Sequence, residues 1–165
     1  LHLDDFGWKQ QAISADQWRE RHGHVGGLVL LVGEAGVGKS DLATALQTRL
    51  FSDGLHTILI DADNVLAAAP RDTSLETATE LLRVQFVRSV QPLLDAGLLV
   101  VATSNALGLA DHGWLAGAVN AQQMCVLLSP DRNARLVDAH IQVYGSAALQ
   151  DTLDQLSAEV AKLVR

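Results

Sequence analysis

Cysteine, proline and long apolar runs are scarce in this chain of 165 residues, and each scarcity excludes a class of protein. The single cysteine, Cys125, excludes an intrachain disulfide, and its apolar neighbours predict a buried thiol, which fits a cytoplasmic location. The three prolines are too dispersed to mark a linker, so one domain is predicted over residues 1–165. The longest apolar run, over residues 26–32, is far shorter than the roughly 18 residues that a membrane span requires. We therefore expect a soluble protein that does not associate with a membrane.

Basic residues are also in short supply. Lys and Arg number 12 against 19 Asp and Glu, which gives a formal net charge of −7 and an isoelectric point near 5.2. Broad binding to nucleic acid or to an anionic membrane needs clustered positive charge, so this balance leaves room only for a local anion site. No group of His, Cys or Asp has the sequence spacing of a structural metal site. We therefore expect no nucleic acid among the ligands, and the sequence gives no signal for a structural metal site.

Apolar segments of strand length alternate with helical segments along the chain. Residues 28–32 form a continuous apolar run bounded by glycines, which predicts a strand buried on both faces of a parallel sheet. Further strands are predicted over 57–60, 98–102, 124–128 and 140–144, and helices over 15–22, 39–52, 75–95, 111–120 and 146–163. The alternation predicts right-handed crossovers and a three-layer α/β/α sandwich with a mostly parallel sheet of about five strands. Residues 1–26 would form a lead-in, and residues 27–165 the α/β core.

Two local patterns define the ends and faces of the predicted helices. Ser14 is suited to cap the first helix, and Gly23 is placed to end it. In the long helix, apolar residues at four-residue spacing predict one side that faces the sheet: Leu82, Phe86, Val90 and Leu94.

The most informative motif is a glycine-rich loop between the first strand and the helix that follows it. It satisfies the pattern G-x-x-x-x-G-K-[ST] with Gly33, Glu34, Ala35, Gly36, Val37, Gly38, Lys39 and Ser40. Glycines let such a loop wrap round phosphate oxygens, backbone N–H groups face the anion, and the lysine supplies a mobile charge for the β- and γ-phosphates. The alternative is a glycine-rich turn with an exposed lysine. The complete pattern in this context favours nucleotide binding by a sandwich of the P-loop nucleoside-triphosphate hydrolase type.

Three further residues are candidates for nucleotide binding. Asp41 follows the loop directly, where a carboxylate gains from the helix dipole but would repel a bound phosphate. The alternative for Asp41 is a surface acid that points outward. Arg132 and Arg135 follow the fourth predicted strand and could reach ATP phosphates or stack on adenine, because guanidinium is planar. The alternative for both arginines is a solvated turn.

A series of motifs around the loop resembles the adenylylsulfate kinase family, whose members move the γ-phosphate of ATP to the 3′-hydroxyl of adenosine 5′-phosphosulfate. Gly23-His24-Val25-Gly26 is similar to the family's G-H-x-G, and Asp61-Ala62-Asp63-Asn64-Val65 is similar to its D-G-D-N-V. The stretch from Leu94 to Val101 resembles its A-D-A-G-L-I-V-I. Together these motifs are far more specific than the phosphate loop alone, and they cover about half of the chain.

The resemblance implies a role for several residues that follow strands. Lys39 would bind ATP, and Ser40 its Mg²⁺. Asp61 and Asp63 follow the second strand, at the edge where open α/β sheets place ligand chemistry. One of these acids would accept the proton of the attacking hydroxyl, and Asp63 would join Ser40 in holding the metal through water. The catalytic set is then Lys39, Asp61 and Asp63. The alternative is a pair of acids that cap a turn.

The sequence also departs from the family where the acceptor would bind. Leu66 stands in place of an arginine, and the family's E-N-I-R-R motif has no clear equivalent between residues 67 and 88. Ser104-Asn105-Ala106-Leu107 occupies the place of its F-I-S-P motif, and the lid beyond Pro130 is contracted. These departures predict an intact site for the phosphates of ATP and an eroded site for the acceptor.

Three functions fit this combination. The first is an ATP-dependent kinase of adenosine 5′-phosphosulfate that uses Mg²⁺ and forms the chain itself or one domain of a larger sulfate-activation protein. The second is a nucleotide-binding module without catalysis, acting as a regulatory or structural partner of an ATP sulfurylase. The third is a kinase of another small hydroxyl compound. A homodimer is compatible with each of them.

Overall fold

The structure is a computed structural model of the chain. It describes residues 12–34, 36–64, 74–105, 107, 109–129, 141–144 and 148–165. Strands alternate with helices after a short first helix, as the sequence predicts. In chain order the elements are α1 (Ala15–His22), β1 (Gly27–Val32), α2 (Lys39–Ser52), β2 (Thr57–Asp61), α3 (Leu75–Asp95), β3 (Leu99–Ser104), α4 (Leu109–Ala118), β4 (Gln122–Ser129), β5 (Ile141–Tyr144) and α5 (Leu149–Val164).

The strands form one sheet in the order β2-β3-β1-β4-β5, and every pairing in it is parallel. β1 lies at the centre, where all six of its residues are buried. This burial explains why its sequence is a continuous apolar run rather than an alternating one, because both faces of the strand are covered.

Helices cover both faces of the sheet and complete the three layers. Val29 and Leu31 of β1 pack with the buried side chains of α2 and α5, whereas Leu28 and Leu30 pack with those of α3 and α4. Successive side chains of a strand point to opposite faces, so one short strand contributes to both halves of the core. The predicted three-layer α/β/α sandwich is confirmed.

Each apolar position predicted to face the sheet from α3 is buried, with Leu82, Phe86 and Val90 fully inaccessible. Cys125 on β4 is also buried, as its apolar neighbours predict. Burial raises the pKa of the Cys125 thiol to about 11, because the interior disfavours a thiolate. The thiol therefore stays protonated and acts as a small apolar side chain.

Several element ends differ from the sequence prediction. β3 extends to Ser104 rather than to Ala102, because Thr103 and Ser104 continue its pairing with the last two residues of β1. α5 begins at Leu149, three residues later than predicted. The polar end of β3 lacks an apolar signal, so composition alone ends that strand too early. α5 begins later because its N-cap Ala148 is extended, at φ −61° and ψ 131°.

The first helix belongs to the predicted lead-in and has both predicted caps. Ser14 accepts a hydrogen bond from the backbone N–H of Gln17, whose side chain in turn accepts one from the Ser14 backbone. Gly23 ends the helix in the left-handed conformation at φ 75°. His22, the last helical residue, donates from Nε2 to the backbone oxygen of Ala96 at 2.9 Å, which ties the lead-in to the core.

Among the described residues, no helix is both long enough and apolar enough to cross a membrane.

A buried histidine follows the first helix. His24 is 2% exposed, accepts a hydrogen bond at Nε2 from the backbone N–H of His56 and contacts the backbone oxygen of Val25 through Nδ1. Burial lowers the pKa of His24, and the neighbouring His22 and His56 act in the same direction, although the contact with Val25 opposes them. The folded protein therefore binds this proton less readily than the unfolded chain does.

We expect the free energy of unfolding to fall as the pH drops below about 6.5, since the unfolded chain then takes up a proton at His24 first. Urea unfolding in EDTA at about pH 7.5 and pH 5.5 measures the loss. The variant His24→Gln should lose less stability between these two pH values than the parent does. An equal loss in both proteins would show that burial of His24 does not contribute.

Candidate phosphate-binding site

The glycine-rich loop connects the end of β1 to the start of α2, at the carboxyl edge of the sheet. At two positions of the loop, a residue other than glycine would clash with a neighbour or strain the backbone. A Cβ on Gly33 would lie 2.6 Å from the backbone oxygen of Leu128, and Gly38 adopts φ 93° immediately before the helix. The loop therefore follows a path that side chains at these two positions would block or strain.

The first turn of α2 has no side-chain cap, because its N-cap residue is Gly38. Its backbone N–H groups face the loop without the side-chain oxygen that Ser, Thr or Asp would supply there. Together with the positive end of the helix dipole, such groups favour an anion. Val37 packs against the core, whereas Glu34 and Gly36 are exposed.

Lys39 is the first residue of α2 and is only 6% exposed. Its Nζ donates to the backbone oxygens of Gly33 and Glu34, each at 2.7 Å. Burial lowers the pKa of Lys39, and the charge of Asp63 partly opposes that shift. The ammonium group is thus held inside its own loop by carbonyl oxygens, which a phosphate oxygen could replace as acceptors.

The next two residues of α2 point away from the interior. Ser40 and Asp41 are both exposed. Exposure keeps the Ser40 hydroxyl accessible to a metal ion beside the loop. For Asp41, it agrees with the alternative of a surface acid that points to solvent.

The two candidate acids at the end of β2 have different surroundings. Asp61 is exposed, and its Oδ1 accepts a hydrogen bond from the backbone N–H of Asp63 at 3.0 Å. This contact closes a turn, so the predicted turn-capping interaction is present at one oxygen of Asp61. Asp63 accepts from the hydroxyl of Ser104 at 2.8 Å and from the backbone N–H of Asn105 at 2.7 Å.

Ser104 is a further residue of the candidate site, to which the sequence analysis assigns no role. It is 1% exposed, and its Oγ donates to Asp63 while accepting from the backbone N–H of Leu107 at 2.8 Å. Comparison with the F-I-S-P motif indicates only a loss at this position. The available signal was a polar residue at the end of an apolar strand, beside a strand that ends in two acids.

The strand order brings the acids towards the loop. β3 lies between β2 and β1, so the carboxyl ends of all three strands share one edge of the sheet. Adjacent strands are about 4.8 Å apart, which places the residues after β2 within about 10 Å of the residues after β1. The candidate site thus brings together the loop, Lys39, Ser40, Asp61 and Asp63. The predicted binding residues Ala35, Arg132 and Arg135 lie outside the described residues.

Comparison with known proteins gives adenylyl-sulfate kinases among the related sequences. The chain is 38% identical to an adenylyl-sulfate kinase of Shewanella amazonensis over 58% of this chain and 48% of the relative. It is likewise 38% identical to an adenylyl-sulfate kinase of Yersinia pestis, over 57% of this chain and 45% of the relative. The chain therefore spans about half the length of the curated relatives that it matches.

Solved structures share the fold at lower sequence identity. An APS kinase mutant of Mycobacterium tuberculosis superposes with a TM-score of 0.61 at 20% identity, covering 82% of this chain and 98% of that one. A hexameric APS kinase from Thiobacillus denitrificans superposes with a TM-score of 0.66 at 17% identity, covering all of this chain and 38% of that one. Both likenesses support the P-loop sandwich.

The sequence model of the adenylylsulphate kinase family matches residues 25–107, which is half of the chain and includes the loop, Lys39, Ser40 and both acids. The resemblance inferred from the motifs is thereby confirmed. On this match, the chain belongs to the adenylylsulphate kinase family.

Proposed function

We propose that the chain is an ATP-dependent phosphotransferase that moves the γ-phosphoryl group of Mg-ATP to the 3′-hydroxyl of adenosine 5′-phosphosulfate. The observation that carries this proposal is the juxtaposition of a buried P-loop lysine with two acids at the same sheet edge, in a chain of this family. Phosphoryl transfer depends mainly on positioning and on stabilisation of negative charge. The loop N–H groups and Lys39 stabilise negative charge, and the acids beside them position the acceptor and a metal ion.

Each residue has a distinct part in this proposal. The loop backbone binds the β- and γ-phosphates, and Lys39 exchanges its bonds to the loop carbonyls for phosphate oxygens. Asp61 orients the acceptor hydroxyl and takes its proton, since its side chain is exposed at the strand end. The Ser40 hydroxyl and the Asp63 carboxylate are hard oxygen donors, which suit Mg²⁺. When bound, Mg²⁺ would neutralise charge on the phosphates.

We infer that residues 1–165 act as one domain, in which α1 packs on the core through the contact of His22 with Ala96. A homodimer and a complex with an ATP sulfurylase are both consistent with this arrangement. Size-exclusion chromatography of the chain, alone and mixed with an ATP sulfurylase, distinguishes them.

A coupled assay with Mg-ATP and adenosine 5′-phosphosulfate tests the function, together with calorimetric titration of each ligand. We expect ADP release that depends on both substrates. Binding of ATP without turnover would contradict the proposal and indicate a nucleotide-binding module. Turnover with another hydroxyl compound, and none with adenosine 5′-phosphosulfate, would show that the acceptor is different.

We expect adenosine 5′-phosphosulfate to bind more weakly than ATP. Leu66 and the missing E-N-I-R-R and F-I-S-P motifs remove polar partners that a buried anion needs, and such partners contribute charge-assisted hydrogen bonds. The KM values of the two substrates, measured in the coupled assay, provide the comparison. A lower KM for adenosine 5′-phosphosulfate than for ATP would refute the idea of an eroded acceptor site.

Replacing Ser104 with alanine should raise the Mg²⁺ concentration needed for half-maximal activity, by about tenfold. The Asp63 carboxylate would keep Asn105 N–H but lose the hydroxyl that fixes its other oxygen. Ser89→Ala is a matched control, because Ser89 is exposed on α3 and its hydroxyl donates to the Gln85 backbone oxygen. An unchanged Mg²⁺ requirement in Ser104→Ala would exclude a positioning role for Ser104.

A further inference from the structure

Three histidines converge at the sheet edge opposite the phosphate loop. His22 ends α1, His24 precedes β1, and His56 immediately precedes β2. One ring nitrogen from each residue lies within 4.8 Å of the others. The spacing of these residues in the sequence, which includes a gap of more than thirty residues, concealed the cluster. Because they lie at the amino ends of the strands, they are separate from the groups proposed for phosphoryl transfer.

We propose that His22, His24 and His56 form a binding site for a divalent transition-metal ion, with Zn²⁺ as the best-suited ion. The inference goes beyond the proposed kinase function and does not depend on it. Imidazole nitrogen suits zinc, copper and nickel, whereas Mg²⁺ prefers oxygen ligands. The same chain would therefore bind two kinds of metal ion at opposite edges of its sheet without competition between them.

The first argument is the orientation of two of the rings. His22 Nε2 lies 2.9 Å from the backbone oxygen of Ala96, and His24 Nδ1 lies 3.0 Å from that of Val25. A carbonyl oxygen can only accept, so each of these nitrogens carries the hydrogen. The lone pairs are thereby assigned to His22 Nδ1 and His24 Nε2. Metal-binding histidines commonly donate their other N–H to a carbonyl in this way.

An independent contact supports the assignment for His24. Its Nε2 accepts a hydrogen bond from the backbone N–H of His56 at 3.0 Å, which requires a lone pair on that nitrogen. Metal binding would replace this hydrogen bond with a coordinate bond. The loss of one neutral hydrogen bond is small beside the affinity of three imidazoles for zinc.

The second argument is the close approach of His22 and His56. Their Nδ1 atoms are 2.6 Å apart, so only one of them can carry a hydrogen. Because the lone pair of His22 is on Nδ1, the Nδ1 of His56 must donate the hydrogen. A metal ion would replace the proton between these two nitrogens. A tetrahedral zinc site with bonds of about 2.0–2.1 Å separates its nitrogens by about 3.3 Å. His56 is exposed, so its ring can rotate by the small amount that this spacing requires.

The surroundings favour an ordered site. The indole of Trp18 stacks on the His22 ring with centroids 5.2 Å apart and planes 10° from parallel. Gly97 allows this approach, because a Cβ there would lie 2.8 Å from the His22 ring. A bound ion would therefore join α1 to the segments before β1 and β2, and its effect would be to stabilise the lead-in on the core.

Zinc titration of the full chain after treatment with EDTA tests the proposal, with calorimetry for binding and thermal unfolding for stability. We expect one equivalent of Zn²⁺ to bind, and a Tm increase of about 5–10 °C at a hundredfold excess over Kd. Co²⁺ in place of Zn²⁺ should give the visible absorption of a tetrahedral nitrogen site. Mg²⁺ should give no shift in Tm in the absence of nucleotide.

Three variants determine whether the cluster is responsible. His22→Ala and His56→Ala should each abolish the Tm increase, and both avoid changing the buried His24. His112→Ala removes a histidine on α4 and should keep the full increase. Absence of Zn²⁺ binding to the parent, or equal binding to His22→Ala, His56→Ala and the parent, would overturn the proposal. Calorimetric titration with ATP in EDTA is a separate readout, so failure of the nucleotide site remains distinguishable.

Discussion

Replacing Lys39 with alanine should weaken the binding of ATP by about 10- to 100-fold, because a charge-assisted hydrogen bond contributes about 1.5–3 kcal/mol. In the free protein the ammonium group is buried and bonded to the backbone oxygens of Gly33 and Glu34. It is therefore already positioned at the loop and needs only to change acceptors when a phosphate arrives. ADP should lose less affinity than ATP, since it lacks the γ-phosphate that the lysine also contacts.

Calorimetric titration of both nucleotides measures this difference. Lys162→Ala is a matched control, because Lys162 is a largely exposed lysine on α5 whose amine contacts Glu159 at 3.3 Å. Thermal unfolding of the Lys39 variant checks that the loop still folds without its internal donor. If Lys39→Ala binds ATP and ADP as tightly as the parent does, the loop is only a glycine-rich turn and the functional proposal fails.

Sequence predicts well those parts of the fold that are determined by residues within one segment of the chain. The buried run of β1 and the four-residue spacing in α3 report burial directly, because the side chains that make the pattern are the ones that pack. The phosphate loop is equally local, since eight consecutive residues carry both its shape and its charge. Such features do not depend on which strands become neighbours.

The parts that sequence missed depend on strand order. Ser104 acts on Asp63 because β3 lies beside β2, and 41 residues separate the two side chains in the chain. His22 and His56 meet for the same reason, since α1 packs where the strands begin. A pattern within one segment holds no information about its neighbour in space. The contacts of polar residues at strand ends are therefore not predictable from the segment in which they lie.

Asp61→Asn should reduce turnover by about 10²- to 10⁴-fold, which is the usual contribution of a general base. The amide keeps the oxygen that accepts the Asp63 N–H at 3.0 Å, so the turn after β2 should keep its shape. The amide cannot accept the proton of the attacking hydroxyl. Nucleotide affinity should therefore stay nearly unchanged while kcat falls, which assigns the loss to the chemical step.

The same substitution at Asp53 provides the control for Asp61. Asp53 is an acid at the C-terminal end of α2, 3.5 Å from Arg49, and it lies at the opposite edge of the sheet from the loop. Turnover by Asp53→Asn should match that of the parent, whereas Asp61→Asn should lose most of it at saturating substrate. Parent-like turnover in Asp61→Asn would show that Asp61 only closes the turn after β2 and takes no part in proton transfer. Proton transfer would then fall to another group at this edge of the sheet, and Asp63 could be examined by the same substitution.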